Sequence, residues 1–134
     1  MRNNSASLAA GLVLKYGIGI RVSLESEFTL MIPSDEAMGR LNLTTWIMLN
    51  DSKSDAFEKW YQRHHASKRI TSKDVAGDGT TVAITELRVD DETSYALAIV
   101  GGEFKINNIR VLIADLIWNK GVVHILSEDF PTPT

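Results

Sequence analysis

Phe104-Lys-Ile-Asn-Asn-Ile-Arg-Val-Leu-Ile-Ala-Asp-Leu-Ile-Trp-Asn-Lys-Gly-Val-Val-His-Ile-Leu126 decides how this chain is read. The stretch alternates and is rich in branched residues, the pattern of extended chain on a half-buried surface. It closes on Gly121-Val-Val-His-Ile-Leu126, an apolar strand with one imidazole inside it. By the two-residue period of a strand, His124 shares a face with Val122 and Leu126. A polar ring there is expected to be partly buried and hydrogen-bonded to a neighbouring element.

Working upstream, residues 95–100 form a compact apolar strand. Gly101-Gly102 then offers a two-residue hairpin turn into a strand over 104–111. Residues 81–87 alternate with period two, and Gly77-Asp78-Gly79 and Asp90-Asp91-Glu92 mark turns. The first half has a different texture. Residues 7–16 carry small and aliphatic side chains at helical spacing, with Ser5 or Ser7 as N-cap and Gly17 as the residue that ends the helix. Residues 18–24 are branched and are expected to run extended. Residues 28–32 read as a buried strand ending at Pro33. Ser34 caps a helix there, with Asp35 and Glu36 at its positive end. Residues 45–49 are a short helix. Residues 54–65 are a stronger one, with Phe57, Trp60, Tyr61, His64 and His65 on one stripe. Helices in the N-terminal half followed by antiparallel strands give an α+β class.

The chain has 134 residues, 44% of them hydrophobic, the size of one ordinary domain with a real core. A net charge of −3 disfavours nucleic acid, whose phosphates demand a basic surface. The sequence has no cysteine, so disulfides and thiolate metal sites are excluded. The apolar run over 8–14 falls short of the roughly 20 residues that span a bilayer, and it lacks a signal-peptide cleavage site. One domain is expected over 1–130. Residues 131–134, alternating Pro and Thr, read as the start of a linker.

The chemistry-bearing residues are few. His64 and His65 are adjacent, so on a helix they point roughly 100° apart and do not share one metal easily. The His-x-x-x-His spacing of helical metal sites is absent, and no metal or cofactor is expected. A histidine base at His124 or His65 would have only its imidazole to recommend it. No Gly-x-Ser-x-Gly elbow is present, and Gly17-Ile-Gly19 lacks the third glycine of a dinucleotide loop. Asp90, Asp91 and Glu92 read as an acidic turn. Trp46, Trp60 and Trp118 motivate an alternative function, a small-ligand or glycan-binding accessory domain. Asn3, Asn42 and Asn50 open glycan acceptor triplets, which carry meaning in a secretory path.

Three boxes then occur in order. Phe28-Thr-Leu-Met-Ile-Pro-Ser-Asp-Glu-Ala-Met38 is similar to the first conserved box of the fasciclin-type FAS1 domain. His64-His65 followed by Ile70-Thr-Ser-Lys-Asp-Val75 resembles its Tyr-His box and the segment after it. Phe104 to Leu126 resembles its second box. There are departures. Met31 and Met38 replace aromatic residues, His64 stands at the tyrosine, Leu116 replaces an isoleucine, and Lys120 separates Asn119 from Gly121.

The resemblance implies a wedge of antiparallel strands packed with several helices. It implies a non-catalytic adhesion module, extracellular or attached to a cell surface, that binds a protein partner. An integrin-like receptor or a homophilic contact is the kind of partner implied. Asp115, Leu116, His64 and His65 match the positions proposed as receptor contacts in some members. Pro33, Ser34, Asp35, Ala37, His65, Asn107, Gly121 and His124 match positions that build the family's core.

Overall fold

The computed structural model describes residues 6–24, 26–76, 84–89 and 93–130. Six helices are described: α1 (Ser7–Lys15), α2 (Ile18–Ser23), α3 (Asp35–Met38), α4 (Leu43–Leu49), α5 (Ala56–His64) and α6 (Ser72–Ala76). The described strands are β1 (Thr29–Pro33), β2 (His65–Ala66), β3 (Ile84–Arg88), β4 (Ser94–Val100), β5 (Glu103–Ile106), β6 (Ile109–Trp118) and β7 (Gly121–Leu126). They form one sheet in the order β2-β1-β7-β6-β5-β4-β3. The α+β class is as expected, with the helices ahead of most strands. All pairings are antiparallel except β1 with β7, which run parallel with Thr29 opposite Val122 and Pro33 opposite Leu126.

That parallel pair is the spine of the molecule. Both strands are buried along their whole length, as parallel strands covered on two faces are. Alternation divides their side chains between two cores. Leu30, Ile32, Val123 and Ile125 face the helices, packed with Leu12, Val13, Ile18, Val22, Phe57 and Trp60. Met31 and Leu126 face the other way, into a core with Ile70, Leu97, Phe104 and Ile106.

Several local expectations are corrected. Residues 18–23 of the segment 18–24 are helical and not extended. Gly17, at φ 74°, ends α1 as expected and then starts α2. Ile18 and Val22, four residues apart, are buried, while Ile20 and Leu24 point outward. That spacing fits a helix laid on a core, and burial overrides the strand preference of branched residues.

α1 has no side-chain cap of its own. Ser7 is its first residue and not its cap, and Ser5 lies outside the described residues. The cap is tertiary. Asp35 Oδ1 accepts from the Leu8 amide (2.7 Å) and Asp35 Oδ2 from the Ser7 hydroxyl (2.8 Å). Ser34 caps α3 as expected, accepting from the Ala37 amide at 3.2 Å. Asn42 caps α4 by accepting from the Thr45 amide at 2.8 Å.

The stretch 104–111 is two strands and not one. Asn107 and Asn108, at φ 53° and 68°, turn the chain between β5 and β6. Gly101 and Gly102, at φ 59° and 81°, turn it between β4 and β5 as expected. Two consecutive left-handed residues match the right-handed strand twist, and Asn adopts that conformation more readily than most side chains. Helix α5 ends one residue earlier than its stripe suggested. His65 has strand dihedrals (φ −130°, ψ 133°) and opens β2. The turns expected at 77–79 and 90–92, and the first residues of the strand expected over 81–87, lie outside the described residues.

Candidate functional site

The geometry centres on β6, which is ten residues long against the six of its partner β7. Residues 111–118 stand opposite the six of β7, and the two extra residues are taken up in two bulges, between Val111 and Ile113 and between Ile113 and Leu116. Asp115 sits in the second with φ 64°. A left-handed aspartate in a strand needs support from outside it. Two elements supply it. The Ser72 amide donates to Asp115 Oδ1 at 2.8 Å and the Ser72 hydroxyl to Oδ2, tying the bulge to the start of α6. The Asp115 amide donates to His124 Nδ1 at 3.1 Å.

His124 is fully buried, beyond the partial burial expected, and its other nitrogen is also engaged. Nε2 donates to the Ile70 carbonyl at 2.9 Å. One nitrogen accepts and the other donates, so the ring is a neutral Nε2–H tautomer. Burial lowers its pKa, against smaller upward pulls from the Ile70 bond and the Asp115 charge. Phe104 packs edge-on against it, with centroids 5.1 Å apart. With both nitrogens committed to backbone groups, His124 is a structural node and not a base.

The bulge re-aims the two residues after Asp115. Leu116 and Ile117 are 42% and 66% exposed. Together with Ala10, Val13, Leu14, Leu30, Ile32, Trp118 and Val123 they line an apolar cleft of about 370 Å³ between α1 and β6. Leu14, 62% exposed, stands on the α1 side. A second apolar cleft, of about 410 Å³, lies at the other end of α1 between Leu8, Met38, Leu41, Leu43 and Trp46.

His64 and His65 part company. His64 is fully buried at the end of α5, between Trp60 and Phe130. His65 is half-buried, stacked on Tyr61 (5.2 Å) and Phe28 (6.2 Å). The sheet brings His65 and Leu116 onto one rung. His65 pairs with Leu30, Leu30 with Val123, and Val123 with Leu116. Three strand spacings put them about 14 Å apart.

The remaining candidates are architectural. Pro33 closes β1, Ala37 is buried in α3, and Asn107 forms the β5–β6 turn. A Cβ on Gly121 would lie 2.4–2.6 Å from the Phe28 ring. Asn42 is exposed, but its carbonyl oxygen is the α4 cap, and the Asn50 amide donates to the Trp46 carbonyl at 2.9 Å. Asn3 and the acidic turn 90–92 lie outside the described residues. The three tryptophans do not converge. Trp46 and Trp118 line different clefts and Trp60 is buried. Among the described residues no cluster of metal-binding side chains forms, and no helix is long and apolar enough to cross a membrane. Sequence reasoning missed Asp129, which engages His64, and the cleft. A lone carboxylate after a strand carries no pattern, and the cleft joins residues distant in sequence.

The comparisons agree with this architecture. No curated protein matches the chain. Among solved structures it is similar to a FAS1 domain pair from the insect cell adhesion molecule Fasciclin I, at 16% identity and a TM-score of 0.52. The match covers 92% of this chain and 44% of that one, so the chain spans less than half of the pair. At that identity the likeness shows the fold. The sequence profile of the Fasciclin domain matches residues 5–128, nearly the whole chain, and on that match the chain belongs to the Fasciclin domain family.

Proposed function

We propose that this chain is a non-catalytic adhesion module that binds a protein partner, outside the cell or at its surface, through the rim of the α1–β6 cleft. The domain spans residues 1–130, with the linker beginning at 131. The outward pair Leu116–Ile117 carries the reading. Two consecutive exposed apolar side chains on a strand forfeit the burial that alternation would have given one of them. They stand beside exposed Leu14 at a cleft large enough to take apolar side chains. Asp115 contributes by holding the bulge, since its carboxylate is already engaged by Ser72. His65 lies on the same rung as Leu116, with the buried Leu30 and Val123 between them. The partner is a receptor of the integrin kind or another copy of the module, and both present protein surface to the same rim.

Cell attachment to the immobilised domain, alone and linked in tandem, tests this. Attachment should exceed the buffer control, rise with tandem linkage, and fall several-fold in Leu116→Glu/Ile117→Glu with the circular dichroism spectrum unchanged. Attachment equal to buffer for the native domain ends the adhesion reading. Attachment that survives the double substitution moves the contact elsewhere.

A further inference from the structure

Residues 127–130 follow β7 and lie against α5 and β4, held there by one cluster. His64 Nδ1 is 2.5 Å from the Trp60 carbonyl oxygen, and Nε2 is 2.5 Å from Asp129 Oδ1. Both neighbours are acceptors, so each ring nitrogen has to carry a proton, and the ring facing them is an imidazolium. The Asp129 side chain, 12% exposed, accepts twice more, from the Trp60 indole N–H at 3.1 Å and the Phe130 amide at 2.8 Å. Burial pushes the Asp129 pKa up, but the His64 bond and charge, the Trp60 indole and the Phe130 amide outweigh it and hold the carboxyl below its ordinary value. Beyond the pair, the buried Phe130 ring stacks on Tyr95 with centroids 4.2 Å apart and leans on His64 at 5.1 Å.

We propose that His64 and Asp129 form a buried imidazolium–carboxylate lock that closes residues 127–130 as a strap over an aromatic slot between α5 and β4. We further propose that the strap opens ahead of the rest of the sheet when either charge is removed. Upstream it is pinned by the Ser127 amide on the Arg110 carbonyl (2.9 Å) and by Arg40 on the Ser127 carbonyl (3.2 Å). Past that point, among the described residues, its polar bonds run through Asp129. Opening therefore requires breaking the lock and withdrawing one ring, while the β1–β7 ladder stays intact.

Removing one member of a buried pair leaves the other charge uncompensated, whereas replacing both with apolar groups does not. Protonating Asp129 removes the anion, so the lock fails as pH falls through the depressed carboxyl pKa. Titratable or charged groups on the elements that meet at the pair include Arg63, next to His64 on α5, Glu128, next to Asp129, and Tyr95 of β4, stacked on Phe130. An open strap would expose Trp60, His64 and Tyr95, a slot suited to an aromatic or aliphatic side chain.

Nuclear magnetic resonance and hydrogen exchange test the lock. In the native chain both His64 ring nitrogens should carry protons; one bare nitrogen overturns the lock, whatever the variants do. The native chain should also show a ring-to-ring Overhauser effect between Phe130 and Tyr95. Asp129→Ala should abolish it and speed amide exchange over 128–130 roughly a hundredfold, with β1 and β7 protection unchanged. His64→Phe/Asp129→Leu should restore it. An effect that persists in Asp129→Ala overturns the strap, and so does protection lost equally across β1 and β7.

Discussion

At the scale of single residues, Gly121 and His124 show how closely β7 is fitted. Any side chain at 121 meets the ring of Phe28, which is fully buried. Gly121→Ala is expected to destabilise the fold by about 2–3 kcal/mol, the cost of overpacking a core, read from the shift of a urea midpoint at constant slope.

His124 makes stability depend on pH. Burial lowers its pKa in the fold, so the folded ring stays neutral where an unfolded histidine already takes up a proton. The unfolded state then binds more protons, and stability falls as pH drops below about 6.5, continuing down to the folded pKa. Asp129 adds a later loss. Its folded pKa is depressed, so its contribution is present above the ordinary carboxylate range, about 3.9, and disappears as pH falls through the folded value. Urea midpoints taken from about pH 8 to about pH 3 should therefore fall in two stages, and His124→Gln should remove the first. A single fall confined to the carboxylate range would contradict the buried neutral ring.

At the scale of elements, the helix ends divide the legible from the illegible. Ser34 caps α3 from the position just ahead of it, and that pattern was readable because donor and acceptor lie three residues apart. α1 is capped from a distant residue, Asp35, and no local window shows it. Asp35→Ala should cost about 1 kcal/mol and raise exchange in the first turn of α1 more than in any strand. Uniform loss of protection would mean that Asp35 serves the core and not the helix end. The same division explains α2. Its branched residues signal a strand, and only the buried core beneath Ile18 and Val22 selects the helix. It also explains β6, whose alternation was visible while its two bulges were not, since a bulge is defined by its partner strand.

At the scale of the molecule, a strand from the first quarter of the chain and the last described strand lie side by side within the sheet, as β1 pairs with β7. The helices that cover one face cannot complete their core until that pair forms, because Leu30, Ile32, Val123 and Ile125 supply its floor. Loop-closure entropy must be met before those contacts stabilise anything. Refolding is expected on the order of milliseconds to seconds, followed by tryptophan fluorescence after rapid dilution from denaturant. Refolding in microseconds would show that the helices fold without the β1–β7 pair.

The sequence by itself determined the class, the three family boxes, β7 as an apolar strand and the turn at Gly101-Gly102. Periodicity, glycine and branched residues are local signals that survive without a partner. The tertiary structure decided the rest. It separated His64 from His65, since one ends a helix and the other begins a strand. It gave Asp115 a supporting role and turned Leu116 and Ile117 outward, because the bulge between them and Ile113 exists only against β7. It joined His64 to Asp129 across most of the second half of the chain. Each of these depends on which distant group fills a vacant hydrogen bond or covers an apolar face. No local pattern encodes that choice.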